Sequence, residues 1–564
     1  MRLSSALLAI AAIVSAPAAH GQSDAERAYL DVLEGAAPGD AAVQQTLPLL
    51  PDSVAAHVRL GSPGAGAEVA RWWRTQDPLP STLANERLGE HVERVTVALG
   101  RFAARTPVGY DARGDTFVRF GAPRTVRVVD PEADLFIARM IREEPAVRRS
   151  DFPRNEAWHY PNLGAYYVFV ETPDGYVEGT LVDLIPRALR GGGYNVNTEQ
   201  RSRLLGKVIR WIHKDLFAFD TNIQRRLSDI DASIGGDGAV LYDSNTRRQT
   251  GLILSNIVQR SQMEDERVRR ERDERLPAAS SLTAPQGRVA ARPARFLDGP
   301  IDAESGSIWV GWSQPILSVT QAADSLGAGG GASPFRIDVT GTRLSGDYDR
   351  LSNATDTYLV LPGGEASEPQ WAVLGRVGRS ERAAFQWDVT PADRDGSPTT
   401  GAPLSQSVVR VDPIGDLVPA AATVALSDLV VLDGRALEAA LDADRLDGLP
   451  APLPYDAVPA DLPTVLYYEA YGPGVDRAPA GVTVRLDVDV TRSRDGRLLR
   501  GRVSDRTTSG SELTLVGGRE PQIVVLDPET LVDADEVTVE VTVTRSDTGE
   551  RAARRLRLRI ARPL

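Results

Sequence analysis

Acid–base chemistry needs two carboxyl groups whose proton affinities differ. The sequence offers one such pair at helical spacing, Glu86 and Glu90, with Arg94 four residues further on. Residues i and i+4 meet on one helix surface, so Glu90 and Arg94 read as an ion pair worth about 0.3–0.5 kcal/mol. Nothing nearby in the chain would drive the two carboxyls apart. The expectation is a solvated, ion-paired helix face. Past the N-terminal stretch, His57, His91, His159 and His213 make no His-x-His or His-x-x-x-His pair, the spacing that metal ligation from one strand or one helix turn requires. Asp229-x-Asp231-x-Ser233 opens like a calcium loop, but Ile234 stands where glycine is needed and Val240 where a bidentate glutamate belongs. Asp442, Asp444 and Asp447 before Gly448 could hold calcium weakly or form a polar turn between domains. Gly327 to Gly331 lacks the lysine of a phosphate loop, and no Gly-x-Ser-x-Gly elbow occurs. The residues therefore predict no catalytic group, no cofactor and no metal ligand.

One more run gathers reactive types. Gly109-Tyr110-Asp111-Ala112-Arg113-Gly114 brings a hydroxyl, a carboxylate and a guanidinium together between two glycines. The elements around it must position these groups. Leu88, Val92, Val95, Leu99 and Phe102 recur at steps of four and three, which predicts one helix over Leu83 to Phe102 with a single apolar face. Thr116 to Phe120 alternates and reads as a strand; Gly121-Ala122-Pro123 reads as the turn after it, and Thr125 to Val129 as the return strand. A partly helical excursion follows, Leu135 to Arg149. Strands resume at Ala157 to Tyr160 and Ala165 to Glu171, and a turn at Pro173-Asp174-Gly175 leads into Tyr176 to Leu181. One helix against these antiparallel strands predicts a two-layer α+β domain. Alternation puts Tyr166 and Tyr167 on opposite strand faces, one toward the core and one outward; an outward aromatic near Trp72 makes these three a candidate contact surface for peptide or glycan, the alternative being core packing.

These residues, in this order, resemble the GWxTD domain of secreted bacterial proteins. The resemblance rests on Trp73, Asp77 and Pro78, then Asn85-Glu86, Gly109-Tyr110, Arg113-Gly114, Gly121 and Pro123, and finally Trp158 and Tyr160. Tyr110 stands where that family has tryptophan, the threonine is missing, and the segment is one residue shorter. A packing role tolerates such a change better than a chemical one, so the resemblance implies a structural motif. It carries no activity to these positions.

Composition narrows the class. Cysteine is absent from the 564 residues, which removes disulfides, thiolate chemistry and the lipid-bearing cysteine of a lipoprotein. The net charge of −13 argues against a nucleic-acid partner. Met1 to Gly21 has the short basic start, apolar run and small residues of a secretory signal peptide, and no later run is long enough for a membrane helix. Export to the periplasm or beyond is expected. The chain divides into a signal peptide (1–21), a helical segment (22–70), the GWxTD-like domain (71–190), a second helical segment (195–276), a linker (277–293), a β-sandwich-like domain (294–435), a second linker (436–462) and a C-terminal β-sandwich-like domain (463–564). The fold class is multidomain α+β. The expected role is a non-enzymatic binding or scaffold protein with a protein or glycan partner in the cell envelope. The alternative is an envelope hydrolase whose site assembles from distant residues.

Overall fold

The structure is a computed structural model. It describes residues 21–143, 148–186, 204, 207–208, 211–212, 289–313, 334–360, 370–393, 395–399, 403, 405–418, 421–433, 453, 457–460, 463–495, 502–531 and 534–561. The chain forms two compact units. Met1–Trp73 with Glu86–Leu282 makes the first, and Arg74–Asn85 with Thr283–Leu564 makes the second.

The first unit opens with short helices, α1 (Gly21–Glu34), α2 (Ala41–Thr46), α3 (Asp52–Arg59) and α4 (Ala65–Thr75), which lead to the long α5 (Glu86–Arg101). The apolar stripe of α5 serves two cores at once. Leu88 and Val92 pack with Tyr29, Val69 and Trp73 of the preceding helices. Val95, Ala98 and the adjoining Phe102 pack with Trp158, Tyr160, Tyr167 and Phe169 of a sheet. That sheet is an antiparallel meander in the order β1 (Thr125–Val129), β2 (Asn155–Tyr160), β3 (Ala165–Thr172) and β4 (Gly175–Gly179).

Two expectations need correction here. Ala112–Phe120 is a helix, α6, not a strand. Asp111 caps its N-terminus and Gly121 follows its C-terminus, and these two signals outweigh the short alternation of Thr116 to Phe120. The domain also has three layers, not two. Successive strand residues point to opposite faces, and both faces are apolar. Ala157 and Val168 face away from α5 into a second core with Ile137 and Met140 of α7 (Leu135–Glu143) and with Leu204, Val208 and Trp211. The expected helical segment 195–276 lies almost wholly outside the described residues. Both calcium-loop candidates, Gly327 to Gly331 and the stretch Met1 to His20 lie outside them too.

The second unit is built from sheets whose strand pairs are antiparallel but for one, Ala457–Pro459 beside Arg559–Ala561. β5 (Ala290–Leu297), β6 (Ser305–Ser313) and β9 (Gln370–Gly378) form one. β11 (Ser405–Val411), β10 (Arg382–Pro391), β7 (Phe335–Leu344) and β8 (Arg350–Val360) form the second, and Ile308, Val310, Trp312, Ile337, Phe385 and Trp387 fill the space between the two. A third sheet joins β12 (Ala425–Leu426), β15 (Thr464–Tyr471), β13 (Val430–Asp433) and β18 (Arg519–Leu526). It packs on the fourth, in the order β14 (Ala457–Pro459), β20 (Arg551–Ala561), β19 (Glu536–Arg545), β16 (Val482–Asp495) and β17 (Arg502–Leu515).

Two sandwich-like pairs therefore stand in the C-terminal part, as the alternating pattern indicates. Their division differs from the expected one. β12 and β13 lie before residue 436 yet pair with β15 beyond it, so the third sheet spans the expected linker 436–462. β14 falls inside that linker, and β5 begins inside the expected linker 277–293. Every residue of β15 is buried, because Leu466 and Tyr468 face the fourth sheet while Val465 and Tyr467 meet Ala294 and Phe296 of β5. Between these layers the fully buried carboxylate of Glu469 accepts from Tyr467 Oη at 2.9 Å, Tyr471 Oη at 2.7 Å and Arg519 at 2.6 Å.

The segment Arg74–Asn85, which carries Asp77, Pro78 and Asn85, belongs to this second unit and not to the domain expected over 71–190. Ser81 accepts from Arg350 through its carbonyl at 2.7 Å and donates to Gln386 Oε1 at 2.7 Å. Arg74 pairs with Asp349 at 2.9 Å, and Arg410 donates to the Asp77 carbonyl.

Candidate functional site

Gly109 has φ +87°, a conformation that side-chain-bearing residues rarely adopt. It lets the chain turn back after Thr106, so that the Asp111 N–H reaches the Phe102 carbonyl at 2.9 Å. This places Asp111 at the start of α6. Its Oδ1 accepts from the Arg113 N–H at 2.9 Å and from the Gly114 N–H at 3.4 Å, satisfying donors that a helix start leaves unpaired. Its Oδ2 accepts from the Tyr176 N–H at 3.1 Å and from Arg113 Nη2 at 2.8 Å. One carboxylate thus joins α6 to β4. Arg113 continues to Glu156 at 2.6 Å, and Glu156 accepts from Trp158 Nε1 at 2.9 Å. The guanidinium carbon lies 3.7 Å from the centre of the Tyr176 ring. Burial works against the Arg113 charge, but the hydrogen bond to Asp111 and the charges of Glu156 and Asp111 outweigh it and hold the group above its ordinary value.

Tyr110 is 1% exposed, and its hydroxyl has no hydrogen-bond partner among the described residues. Burial drives its ionisation above the ordinary tyrosine range, so it is a neutral packing group. Gly114 is required beside it: a Cβ there would stand 2.7 Å from Cβ, Cγ and Cδ2 of Tyr110. The motif residues converge, but in a packed interior.

A groove of about 630 Å³ opens at the other end of α6. Gly121 has φ +75° and ψ −158°, a region that is essentially glycine's alone. A Cβ on it would lie 3.1 Å from Arg94 Nη2. Arg94 sits here because α6 ends in unpaired carbonyls: Nη1 donates to the Val118 and Arg119 oxygens at 3.2 and 3.3 Å. Tyr160 Oη donates to the Gly121 carbonyl at 2.9 Å. Glu90 then holds Arg94 at 2.5 Å and Arg87 at 3.0 Å. The expected solvated ion-paired face is thus a largely buried network at a helix end, and burial pulls the Arg94 guanidinium below its ordinary range while Glu90 opposes the shift. Val97, Phe117, Phe120, Pro161 and Leu163 give the groove apolar walls; Glu93, Arg124 and Asn162 bring polar groups to it.

The other expected residues divide between core and periphery. Trp73 is fully buried, donates to Thr46 Oγ1 at 3.3 Å and has its ring centre 4.7 Å from that of His91, the two planes tilted by 34°. His91 is 3% exposed and hydrogen-bonded to Tyr29 Oη at 3.1 Å; burial, with Arg87 and Arg94 adding to it, lowers its pKa to about 3. Glu86 opens α5, and the Asp77 side chain accepts from the Leu79 N–H at 2.9 Å. Trp158 and Tyr160 are buried on the α5 side of the sheet, and Pro123 lies in the link to β1. Tyr167 is buried, stacked on Phe169, while Tyr166 and Trp72 are half-buried against different apolar clusters. They do not form one surface. Glu93, Val97, Arg124, Asn162 and Leu163 were not singled out by sequence, since reading α6 as a strand hides the groove they line. Among the described residues no group of His, Asp or Glu could hold a metal ion, and no helix is long and apolar enough to cross a membrane.

No family model matches the chain, and no curated protein matches it. Solved structures similar to parts of it include a β-glucuronidase 2 of Bacteroides uniformis covalently bound to cyclophellitol-6-carboxylate aziridine and another crystal structure of a Bacteroides uniformis β-glucuronidase. Each shares 11% identity, covers 46% of this chain and 27% of its own, and has a TM-score of 0.17. The chain thus spans roughly a quarter of the length of these enzymes.

Proposed function

We propose that this chain is an exported binding or scaffold protein of the cell envelope, of the GWxTD kind, and that the groove bounded by α5, the Gly121-Ala122-Pro123 turn and the Pro161–Leu163 turn takes a peptide or glycan segment of its partner. One observation carries the reading. The charged groups of the Gly109–Gly114 motif are turned inward and matched to backbone donors and to one another, so the motif holds the fold and leaves recognition to the groove at the far end of α6. The groove joins apolar walls to a few convergent polar groups, the usual make-up of a recognition site. The export reading rests on Met1 to Gly21.

The hydrolase reading is favoured by one feature, the presence of both Glu90 and Glu93 at the groove. Glu90 has each oxygen engaged by an arginine, which suits a structural anion better than a proton donor. The test is a peptide and glycan array probed with the intact protein and with Arg124→Glu and Leu163→Glu variants. Retention of a defined ligand class by the intact protein, weakened in both variants, supports the proposal. Turnover of an array member that is lost in Glu93→Gln would replace it with the hydrolase.

A further inference from the structure

We propose that a basic pocket in the second unit binds an oxyanion group, a phosphate or a sulfate. The pocket has a volume of about 300 Å³ and is formed by β5, β11, β20 and the Asp428 turn. Arg292 and Arg295 come from β5, Arg410 from β11, and Arg554 and Arg555 from β20. Two carboxylates, Asp412 and Asp428, line it with these five arginines, and Asp416 lies near Arg295. Arginine therefore outnumbers carboxylate here, in a chain whose net charge is −13.

Both carboxylates already serve the fold. Asp428 accepts from Arg295 Nε at 2.7 Å, Nη2 at 3.1 Å and the Arg295 backbone N–H at 3.1 Å. Asp412 pairs with Arg382, which does not line the pocket, at 3.3 Å. Arg554 is left 3.8 Å from Asp428 and donates to the Leu417 carbonyl at 3.0 Å. Its guanidinium is pulled below its ordinary value by burial, and Arg295 adds to the effect although Asp428 opposes it. Burial lowers Arg410 in the same direction. Guanidiniums held side by side at the cost of desolvation and mutual repulsion gain most from an anion with two or more oxygens, because their planar forks bind such groups through paired N–H donors. The Arg295 and Arg554 bonds to backbone carbonyls fix those forks before the anion arrives.

The experiment is isothermal titration of the full-length protein with inorganic phosphate and, separately, with sulfate, in chloride buffer of matched ionic strength. A third arm uses a monosaccharide carrying a sulfate or phosphate ester. Saturable binding of one equivalent of free anion supports an oxyanion site that takes the ion itself. Binding in the ester arm alone supports the same site with the group carried on a larger ligand. Arg292→Gln and Arg555→Gln leave the Arg295–Asp428 pair in place, and each is expected to weaken binding about threefold or more, with about tenfold or more for the pair. Far-UV circular dichroism verifies folding; if Arg292→Gln does not fold, Arg555→Gln alone decides. No saturable heat in any arm, or unchanged affinity in the folded variants, overturns the proposal.

Discussion

Asp111→Ala separates an architectural motif from a reactive one. Three contacts disappear with the carboxylate. The first is the cap on α6, whose loss costs about 1 kcal/mol. The second is the acceptor for the Tyr176 N–H, and leaving that buried donor unpaired costs about 1–3 kcal/mol. The third is the ion pair with Arg113. Its loss is softened because Glu156 still holds the guanidinium at 2.6 Å, so it adds less than the ~3–5 kcal/mol of a buried charge left alone. The sum, allowing for overlap between neighbours, is about 3–4 kcal/mol. Asp111→Asn keeps an oxygen for the cap and gives up the charge, so about half of that loss is expected. Urea titration followed by the fluorescence of the buried tryptophans Trp73 and Trp158 measures both, and a falling midpoint at constant slope is the expected form. A change below about 0.5 kcal/mol for Asp111→Ala would refute the reasoning.

Two further outcomes follow from the same unit. Gly121→Ala places a Cβ at φ +75° and 3.1 Å from Arg94 Nη2, so a loss of about 2–3 kcal/mol is expected in the same titration, with Ala122→Gly near neutral as the control. His91 is held neutral, with its pKa lowered to about 3 from an unfolded value of 6.5. The unfolded chain therefore binds a proton below pH 6.5 that the folded chain refuses, and stability falls as pH falls between 6.5 and about 3, at ~1.4 kcal/mol per unit. Comparing the protein with His91→Gln at pH 7 and pH 5 isolates this term: the difference between them should shift by about 2 kcal/mol in favour of the variant at pH 5. Parallel pH curves would contradict it.

The C-terminal strands are legible where one face is wet and one is dry. β19 and β20 show period-two patterns on either side of Ser546-Asp547-Thr548-Gly549, and they pair as that pattern indicates. β15 is harder to place because both its faces are covered, so its run carries no alternation to say which sheets it joins. The pairing of β12 and β13 with β15 depends on contacts that no local pattern encodes. Thr116 to Phe120 is ambiguous for a different reason: five residues with three apolar positions fit one helix turn as well as a short strand. The signals that resolve it lie outside those five residues, in a capping aspartate at 111 and in a glycine followed by proline at 121 and 123. Once α6 is known to be a helix, the role of Arg94 follows, since a helix end needs donors for its last carbonyls. From sequence alone Arg94 is only the residue four after a glutamate.

Tyr110→Phe reaches the central claim most directly. The Tyr110 hydroxyl is buried with no hydrogen-bond partner among the described residues, so removing it deletes an unsatisfied polar group and leaves the ring packed on Gly114. Unfolding free energy is expected to stay level or rise by about 1 kcal/mol, with ligand retention on the arrays unchanged. A folded Tyr110→Phe protein that has lost its ligand or its turnover would show that the Gly109–Gly114 motif does chemistry after all.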